Sequence, residues 1–344
     1  MSKVIISGIS GQDGSYMAEY LLDNTNHEVV GGIRRTSQAI LKNLDRCLSH
    51  QRFRLAPLDL CDNHSITELI KKERPDYFIN FGATTFVPDS WNQPALTIQV
   101  NSIALIHILE AVRNYTPECR IYSAGSSEQM GDVEYSPQDE KHPMRPRSVY
   151  GVSKCVSGLI SKVYRESYGL YVVHGILFNH ESERRQSFFV TKKITEGVAR
   201  ISLELKQEKP LVPLFLGNID SQRDWSSSKD FVDGIWKMLN QSKPIEYILS
   251  SGETHSVREF TELAFKFSGY EGQWYGNGVD SRFILKDEIV AVEIDPKLYS
   301  PADVELLWGD STRARTELGW KPKISFQELV QEMVQHDLRE VGLV

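Results

Sequence analysis
With 344 residues, the chain is long enough to bury a sizeable core, as one large α/β unit or two closely joined domains. Hydrophobic content of 40% and charged content of 25% are those of an ordinary soluble globular protein, and a net charge of −7 argues against a general nucleic-acid binder while permitting local basic pockets for anions. No apolar run approaches the ~18 residues of a membrane span, and the amino terminus enters a strand pattern at once, so neither a membrane partner nor a signal peptide is expected.

Taken in order, Lys3 to Ser7 reads as a short buried strand. Gly8-Ile9-Ser10-Gly11-Gln12-Asp13-Gly14 follows, then a helix with Met17, Ala18, Leu21 and Leu22 at helical spacing. In that context glycines bring the backbone against a pyrophosphate at the positive end of a helix. The spacing is G-x-x-G-x-x-G, not the G-x-G-x-x-G of the ordinary dinucleotide fingerprint. A second strand, His27 to Ile33, ends in Arg34-Arg35-Thr36-Ser37. An NAD site would place an acidic residue there for the ribose 2′-hydroxyl; arginines accommodate a 2′-phosphate, so NADP is the expected cofactor.

Phe53 to Leu58 makes a third strand ending at Asp59-Leu60, and Tyr77 to Phe81 a fourth running into Gly82-Ala83-Thr84-Thr85. Arg120 to Ser123 is a fifth, with Gly125-Ser126-Ser127-Glu128 at its carboxyl end, and Leu170 to Leu177 a sixth. Amphipathic helices lie between them, one closed by Pro75 and one from about Pro94 to Arg113. This alternation predicts an α/β fold, a Rossmann-type doubly wound parallel sheet whose ligands bind beyond the carboxyl ends of the strands. Every polar cluster named so far falls at that edge.

After about Asn179 the rhythm breaks. Residues 1–178 are expected to form the dinucleotide-binding domain, with 226–250 returning to it as one more helix and strand. Residues 179–225 and 251–344 are expected to form a smaller, discontinuous C-terminal α/β substrate domain. Ser256-Val257-Arg258-Glu259 has the pattern of a capping box opening a helix through Phe267, and a final amphipathic helix starts at Ser325. Four scattered cysteines without a Cys-x-x-Cys pair, and histidines without H-E-x-x-H spacing, indicate neither a disulfide framework nor a metal site. A cytoplasmic enzyme or binding protein is the expectation.

The chemistry centres on Tyr150 and Lys154, four apart in a helix predicted from about Val149 and so on one face. A phenol titrates near pH ~10, and a nearby ammonium favours the phenolate. Lowering its pKa by about three units needs roughly 4 kcal/mol of differential stabilisation, which one lysine plus an oxidised nicotinamide could supply in a dry site. Alone, the pair also fits an exposed helix carrying a chance Tyr and Lys; its place at the crowded sheet edge points to an active site.

With these residues in view, the chain resembles the extended short-chain dehydrogenases/reductases, and within them the GDP-mannose 4,6-dehydratase family, over nearly its whole length. The likeness rests on Gly8 to Ser15, Arg34 to Ser37, Tyr150 to Lys154, Leu177-Phe178-Asn179-His180-Glu181-Ser182, Phe189 to Ile194, Gly217 to Asp220 with Arg223-Asp224-Trp225, and Gly319-Trp320-Lys321-Pro322. The resemblance implies oxidation of a GDP-hexose at carbon 4, loss of water across carbons 5 and 6, and hydride return to carbon 6. It implies Tyr150 as the base at the 4-hydroxyl, with Lys154 holding the phenolate, Glu128 as the base at carbon 5, and Ser126 bonding the 4-oxygen. It further implies an NADP site of Gly8, Ile9, Ser10, Gly11, Gln12, Asp13, Gly14, Arg34, Arg35, Thr36, Ser37, Asp59, Leu60, Phe81, Gly82, Ala83, Thr84, Thr85, His180 and Arg185 together with Tyr150 and Lys154. The GDP-sugar would meet Thr85, Ser90, Ser127, Asn179, Val190, Lys193 and Arg223, and a homodimer or homotetramer is implied by analogy.

The chain departs from the family where Ser-His-Val becomes Thr85-Phe86-Val87, where a tyrosine becomes Leu96, and where Ser-Glu-Leu-Tyr-Gly becomes Ser127-Glu128-Gln129-Met130-Gly131. The nucleotide-gripping Arg-Pro-x-Glu turn becomes Ser300-Pro301-Ala302-Asp303. These changes leave open the nucleotide and the sugar, mannose or a relative such as a heptose. A nucleotide-sugar epimerase or 4-ketoreductase, and a non-catalytic NADP-sensing protein, are the alternatives; neither needs a carboxylate at Glu128.

Overall fold
The computed structural model describes residues 1–34, 41–298, 304 and 306–344. Strands, in order, are β1 (Lys3–Ser7), β2 (Glu28–Ile33), β3 (Phe53–Pro57), β4 (Tyr77–Asn80), β5 (Arg120–Ala124), β6 (Val172–Leu177), β7 (Asn179–Glu181), β8 (Leu214–Leu216), β9 (Gln222–Arg223), β10 (Trp225–Ser227), β11 (Tyr247–Leu249), β12 (His255–Ser256), β13 (Gly272–Tyr275), β14 (Arg282–Leu285), β15 (Ile289–Ile294) and β16 (Leu306–Leu307). Helices are α1 (Gln12–Asn24), α2 (Asp45–Leu48), α3 (Asn63–Glu73), α4 (Asp89–Asn92), α5 (Pro94–Ile98), α6 (Ala104–Tyr115), α7 (Val149–Tyr168), α8 (Val190–Lys206), α9 (Ser228–Leu239), α10 (Val257–Phe267), α11 (Thr312–Glu317) and α12 (Phe326–Glu340).

Seven strands form one all-parallel sheet in the order β11-β6-β5-β4-β1-β2-β3. Its central strands are covered on both faces and mostly apolar: Val4, Ile5 and Ile6 of β1 are fully buried, and all six residues of β6 are buried. The strand order reverses between β1 and β4, and the crevice beyond such a point is where ligands bind in doubly wound sheets. Here Ser7 Oγ donates to Asn80 Oδ1 (2.6 Å) and accepts from the Gly82 amide (3.0 Å), joining the two carboxyl ends.

After β6 the chain leaves this sheet and comes back with β11, which pairs with β6 through Tyr247↔Gly175 and Leu249↔Leu177. A second, four-stranded sheet, β13-β14-β15-β8, packs with α8, α10 and α12 around Ile194, Phe260, Phe265, Phe283, Leu329 and Met333. Small sheets pair β7 with β10, and β9 with β12 and β16.

Local chemistry sets the helix starts. Ser148 Oγ accepts from the Gly151 amide (3.0 Å) and opens α7, and Gly169 closes it at φ +69°. Ser256 caps α10 by accepting from the Glu259 amide, but the Glu259 carboxylate turns to His255 Nδ1 (2.9 Å), so the predicted box is only half closed. The complete capping box is at α12, between Ser325 and Glu328.

One expectation is corrected. The helical stretch Pro94–Tyr115 is long and apolar enough to cross a membrane by length and composition. Gln99, Asn101, Ser102 and His107 interrupt its apolar run, so the sequence shows no unbroken apolar stretch there. Half of its most apolar window is buried, with Leu105, Ile108, Leu109 and Val112 in the core beside Ile66 and Ile70 of α3.

Between α8 and α12, the Lys192 ammonium pairs with Asp337, both side chains being buried. His336 Nδ1 also bonds Asp337 Oδ1 (3.0 Å), so losing the lysine costs less than the about 3–5 kcal/mol of stranding a buried charge, whereas replacing both partners with apolar groups is often neutral. Lys192→Met should therefore lower the urea-unfolding free energy by about 1–3 kcal/mol, and Lys192→Met with Asp337→Leu should recover most of it.

Candidate active site
The glycine turn after β1 is built by contact. Gly8 has φ +66°, and a Cβ there would lie 2.8 Å from the Gly82 nitrogen; a Cβ on Gly14 would lie 2.3 Å from Gly8 O. Gly11 donates to Gly8 O (3.0 Å) and is the N-cap of α1 without a side-chain capping bond, so the amides of the first helical turn remain available to an anion. This cradle fits a dinucleotide pyrophosphate, and the G-x-x-G-x-x-G spacing follows from its packing.

Asp13 and His180 are brought together. His180 Nε2 donates to Asp13 Oδ2 (3.0 Å), His180 Nδ1 donates to Phe178 O (2.8 Å), and Ser228 Oγ donates to Asp13 Oδ1 (2.7 Å). Burial alone would raise Asp13, but the charge and hydrogen bond of His180 override it and hold the carboxyl well below the usual range. Burial would likewise lower His180, and Asp13 overrides it upward. The pair ties the start of α1 to β7 and to the start of α9.

Elsewhere in the implied cofactor site, Asp59 Oδ1 accepts from the Cys61 amide (2.9 Å), and Leu60 and Phe81 are buried. The Thr84 amide donates to Asn101 Oδ1 (2.9 Å). Arg34 stands exposed at the end of β2, while Arg35, Thr36 and Ser37 lie outside the described residues.

Two elements carry the catalytic candidates. Beyond β5, Ser126 Oγ accepts from the Glu128 amide (3.3 Å) and caps a short 3₁₀ turn, Ser127–Gln129; Ser126 and Glu128 are half-buried and Ser127 is buried. From α7, Tyr150 and Lys154 are 8% and 4% exposed, so the exposed-helix alternative for this pair is excluded. Lys154 Nζ lies 5.6 Å from the Tyr150 ring centroid and donates to Ala124 O (2.8 Å).

Burial pushes the Tyr150 phenol up to about 12, with Ser126's hydrogen bond opposing and Glu128's charge reinforcing the rise. Burial also brings the Lys154 ammonium down to about 8, against Asp13. The lowered phenol anticipated from the sequence is thus not a property of the chain by itself. Desolvation outweighs the hydrogen bond of Ser126 and the charge of Arg185, and the Lys154 ammonium is turned to a carbonyl. A further positive charge is needed before the phenolate forms near neutrality.

Asn101 was not singled out from the sequence. It sits in a π-helical segment, Gln99–Ile103, between α5 and α6, where its side chain donates to Thr84 O (3.1 Å) and Ser153 Oγ (3.0 Å). It thereby ties the loop after β4 to α7. A widened helical turn of this kind has no periodic signature in sequence.

On the substrate side, Asn179 Oδ1 is buried without a hydrogen-bond partner among the described residues. Burial lowers the half-buried Lys193 ammonium, against Asp295. Arg223 Nη1 donates to Gln222 O (2.9 Å), and the following Asp224 is fully buried, accepting from both amides of Ser251-Gly252. Thr85 and Val190 are exposed, whereas Ser90 is buried and donates to Val87 O (2.7 Å). Phe86 packs on Phe188 (4.7 Å between centroids), and Arg185 stacks on Phe189 (3.5 Å) while pairing with Glu181. Leu96 is exposed on α5; Ser300 to Asp303 lie outside the described residues.

The model of a family described as GDP-mannose 4,6 dehydratase matches residues 5–333. The chain is 40% identical over 354 residues to a GDP-mannose 4,6-dehydratase of Vibrio cholerae serotype O1, covering 98% of this chain and 93% of that one. It is 40% identical over 343 residues to the Drosophila melanogaster GDP-mannose 4,6 dehydratase, covering 97% and 85%. Among solved structures, it is similar to UDP-glucose 4-epimerase of Thermotoga maritima with UDP-glucose (TM-score 0.83, 19% identity, 99% and 100% covered). It is also similar to dTDP-glucose 4,6-dehydratase of Bacillus anthracis in complex with NAD (TM-score 0.80, 18% identity, 99% and 97% covered). Those two likenesses show the fold, a Rossmann-type α/β architecture.

The buried lysine makes a testable statement about pH. Lys154 is lowered to about 8 from 10.5, so between those values the unfolded chain binds more protons and stability rises with pH. Below about 8 the charged, buried lysine costs on the order of 3 kcal/mol at 1.36 kcal/mol per pK unit. Lys154→Met should raise the Tm at pH 7, with the advantage fading as the pH approaches 10.5, and should abolish turnover.

Proposed function
The chain belongs to the GDP-mannose 4,6-dehydratase family, and on that premise we propose that its own residues carry out the family's reaction in the roles that follow. The protein is an enzyme, a carbon-oxygen lyase that converts a GDP-hexose, GDP-mannose or a close relative, to the 4-keto-6-deoxy sugar. A nicotinamide dinucleotide supplies the acceptor for the hydride at carbon 4 and its donor to carbon 6. We take this dinucleotide to be NADP, on the strength of Arg34 at the end of β2.

Tyr150 takes the proton of the 4-hydroxyl, and Ser126 hydrogen-bonds the 4-oxygen. Lys154 and Arg185 both bear positive charge on this end of the site, and Arg185 already lowers the phenol's pKa. The carbonyl formed at carbon 4 acidifies the hydrogen on carbon 5. Glu128 removes that proton and is then the acid from which the departing 6-hydroxyl leaves as water. Because hydride leaves and returns within one cycle, the net reaction is redox-neutral. Lys193 and Arg223 would meet the diphosphate and base of the GDP-sugar, beside Asn179, Thr85, Ser90, Ser127 and Val190. The half-buried Lys193 ammonium, disfavoured by burial, supports an anion there.

The observation that carries this reading is Glu128 itself. It stands half-buried on the turn that Ser126 caps, close enough to raise Tyr150 by its charge. Elimination needs a carboxylate at that place; a 4-epimerase or 4-ketoreductase does not. The division into a dinucleotide-binding unit (1–178 with 226–250) and a nucleotide-sugar unit (179–225 with 251–344) is supported by β11 pairing with β6. An exposed apolar row on α7, Val152, Leu159 and Val163, supports assembly as a homodimer or homotetramer. Four free cysteines suit a reducing, cytoplasmic setting.

With GDP-mannose and NADP⁺ the purified protein should give a 4-keto-6-deoxy product without net NADPH. Stoichiometric NADPH would remove the dehydratase reading. Glu128→Gln should lower turnover about 10²- to 10⁴-fold while leaving cofactor affinity intact, measured by product formation and calorimetric titration. Unchanged turnover would take Glu128 out of the mechanism.

A further inference from the structure
The sixth strand, Val-Val-His-Gly-Ile-Leu, is buried at every position, and a histidine is out of place in such a run. His174 is 1% exposed. Burial lowers its imidazole to about 3, helped by the nearby Lys154 ammonium, so it is neutral at working pH. A neutral imidazole has one donor and one acceptor, and both find partners. Gln129 Oε1 can only accept, so Nε2 carries the proton and donates to it (3.2 Å); Nδ1 then accepts from the hydroxyl of Ser123 (3.4 Å), the residue opposite His174 in β5.

Gln129 is the last residue of the turn that bears Glu128, and it too is 1% exposed. Its main chain is held on other sides: its amide donates to Ser126 O (3.1 Å), and its carbonyl accepts from the Arg145 amide (3.1 Å) and from Cys155 Sγ (3.5 Å) on α7. Only its side chain reaches β6. The imidazole fits there because two glycines make room. A Cβ on Gly125 would lie 2.5 Å from His174 Nε2, and a Cβ on Gly158, one turn beyond Lys154, would lie 3.1 Å from it. The ring is thus wedged between the turn carrying Ser126 and Glu128 and the helix carrying Tyr150 and Lys154.

We propose that His174 is a positioning residue for the elimination step, setting the Glu128 turn against α7 through the Gln129 side chain. Its link runs to the Glu128 turn, whereas Lys154 has its own anchor on Ala124 O. Loss of His174 therefore acts on proton removal at carbon 5 more than on hydride transfer from carbon 4. The sequence carries the partner as a departure: the family's leucine is Gln129 here, and a leucine could not bond an imidazole. The proposal rests on the dehydratase reading above.

The experiment compares wild type, His174→Leu, Gln129→Leu and the double variant in single turnovers with GDP-mannose and NADP⁺, following absorbance at 340 nm and product. Each single variant leaves a buried polar group unpartnered, and a base displaced by about 1 Å can lose about 10²-fold in rate. Each single variant should form product about 10- to 100-fold more slowly, with reduced nicotinamide building up transiently to several times the wild-type level. The double variant lacks the same link, so it should be slowed no further than the slower single variant. Thermal unfolding and NADP⁺ titration check that the variants fold. Wild-type rates in both single variants, or equal slowing of cofactor reduction and product formation without a transient, would overturn the role. So would a double variant slowed by the product of the two single effects. Failure of the wild type itself to form product would remove the dehydratase reading and the proposal with it, an outcome separable from the others.

Discussion
Lys154 donates a 2.8 Å hydrogen bond to the Ala124 carbonyl from a site in which only 4% of its surface is exposed. That bond joins α7 to the carboxyl end of β5, and the rest of the site is fitted to it. An ammonium so deep is costly in its charged form, which its lowered pKa expresses. The same charge weighs on the His174 imidazole, while Asp13 steadies the ammonium from the α1 side. A helix packed one residue out of register would separate Tyr150 from Ser126 and leave the ammonium without its carbonyl.

The electrostatics explain why catalysis waits for ligands. In the chain alone both members of the Tyr-Lys pair sit with their charged forms disfavoured, the phenol raised and the ammonium lowered. Asp13 also raises Tyr150 by its charge, although that carboxylate is paired with His180 and bonded by Ser228 on the α9 side. Glu128 adds to the penalty on Tyr150. The two groups stand on separate elements, Glu128 on the turn beyond β5 and Tyr150 on α7. On the substrate side, Lys193 and Asn179 are likewise unsettled: one ammonium disfavoured by burial, one buried amide oxygen without a partner among the described residues.

Much of this was legible in the sequence, for identifiable reasons. The glycine turn was readable because close backbone approach leaves only glycine possible, as the contacts of Gly8 and Gly14 show. The parallel sheet was readable from apolar runs such as Val4-Ile5-Ile6. Tyr150 and Lys154 were readable from helical spacing, but their depth was not, and that depth is why the phenol of the chain alone is raised rather than lowered. Asn101 was missed because a π-helical turn breaks the helical period without changing composition. His174 was missed because its meaning lies in Gln129, 45 residues away, and in the missing Cβ atoms of Gly125 and Gly158. The half-closed box at Ser256 shows the same limit: the pattern was present, but Glu259 had a better partner in His255.

The central claim is that residues of this chain handle the protons of a redox-neutral cycle in which the hydride lost from carbon 4 returns to carbon 6 of the same sugar. The most direct measurement is the fate of label from GDP-mannose deuterated at carbon 4, followed by NMR of the product. The account predicts deuterium at carbon 6 of the 4-keto-6-deoxy sugar in the same molecule, with none in the free cofactor pool. Deuterium retained at carbon 4, or released to solution as labelled NADPH, would contradict it.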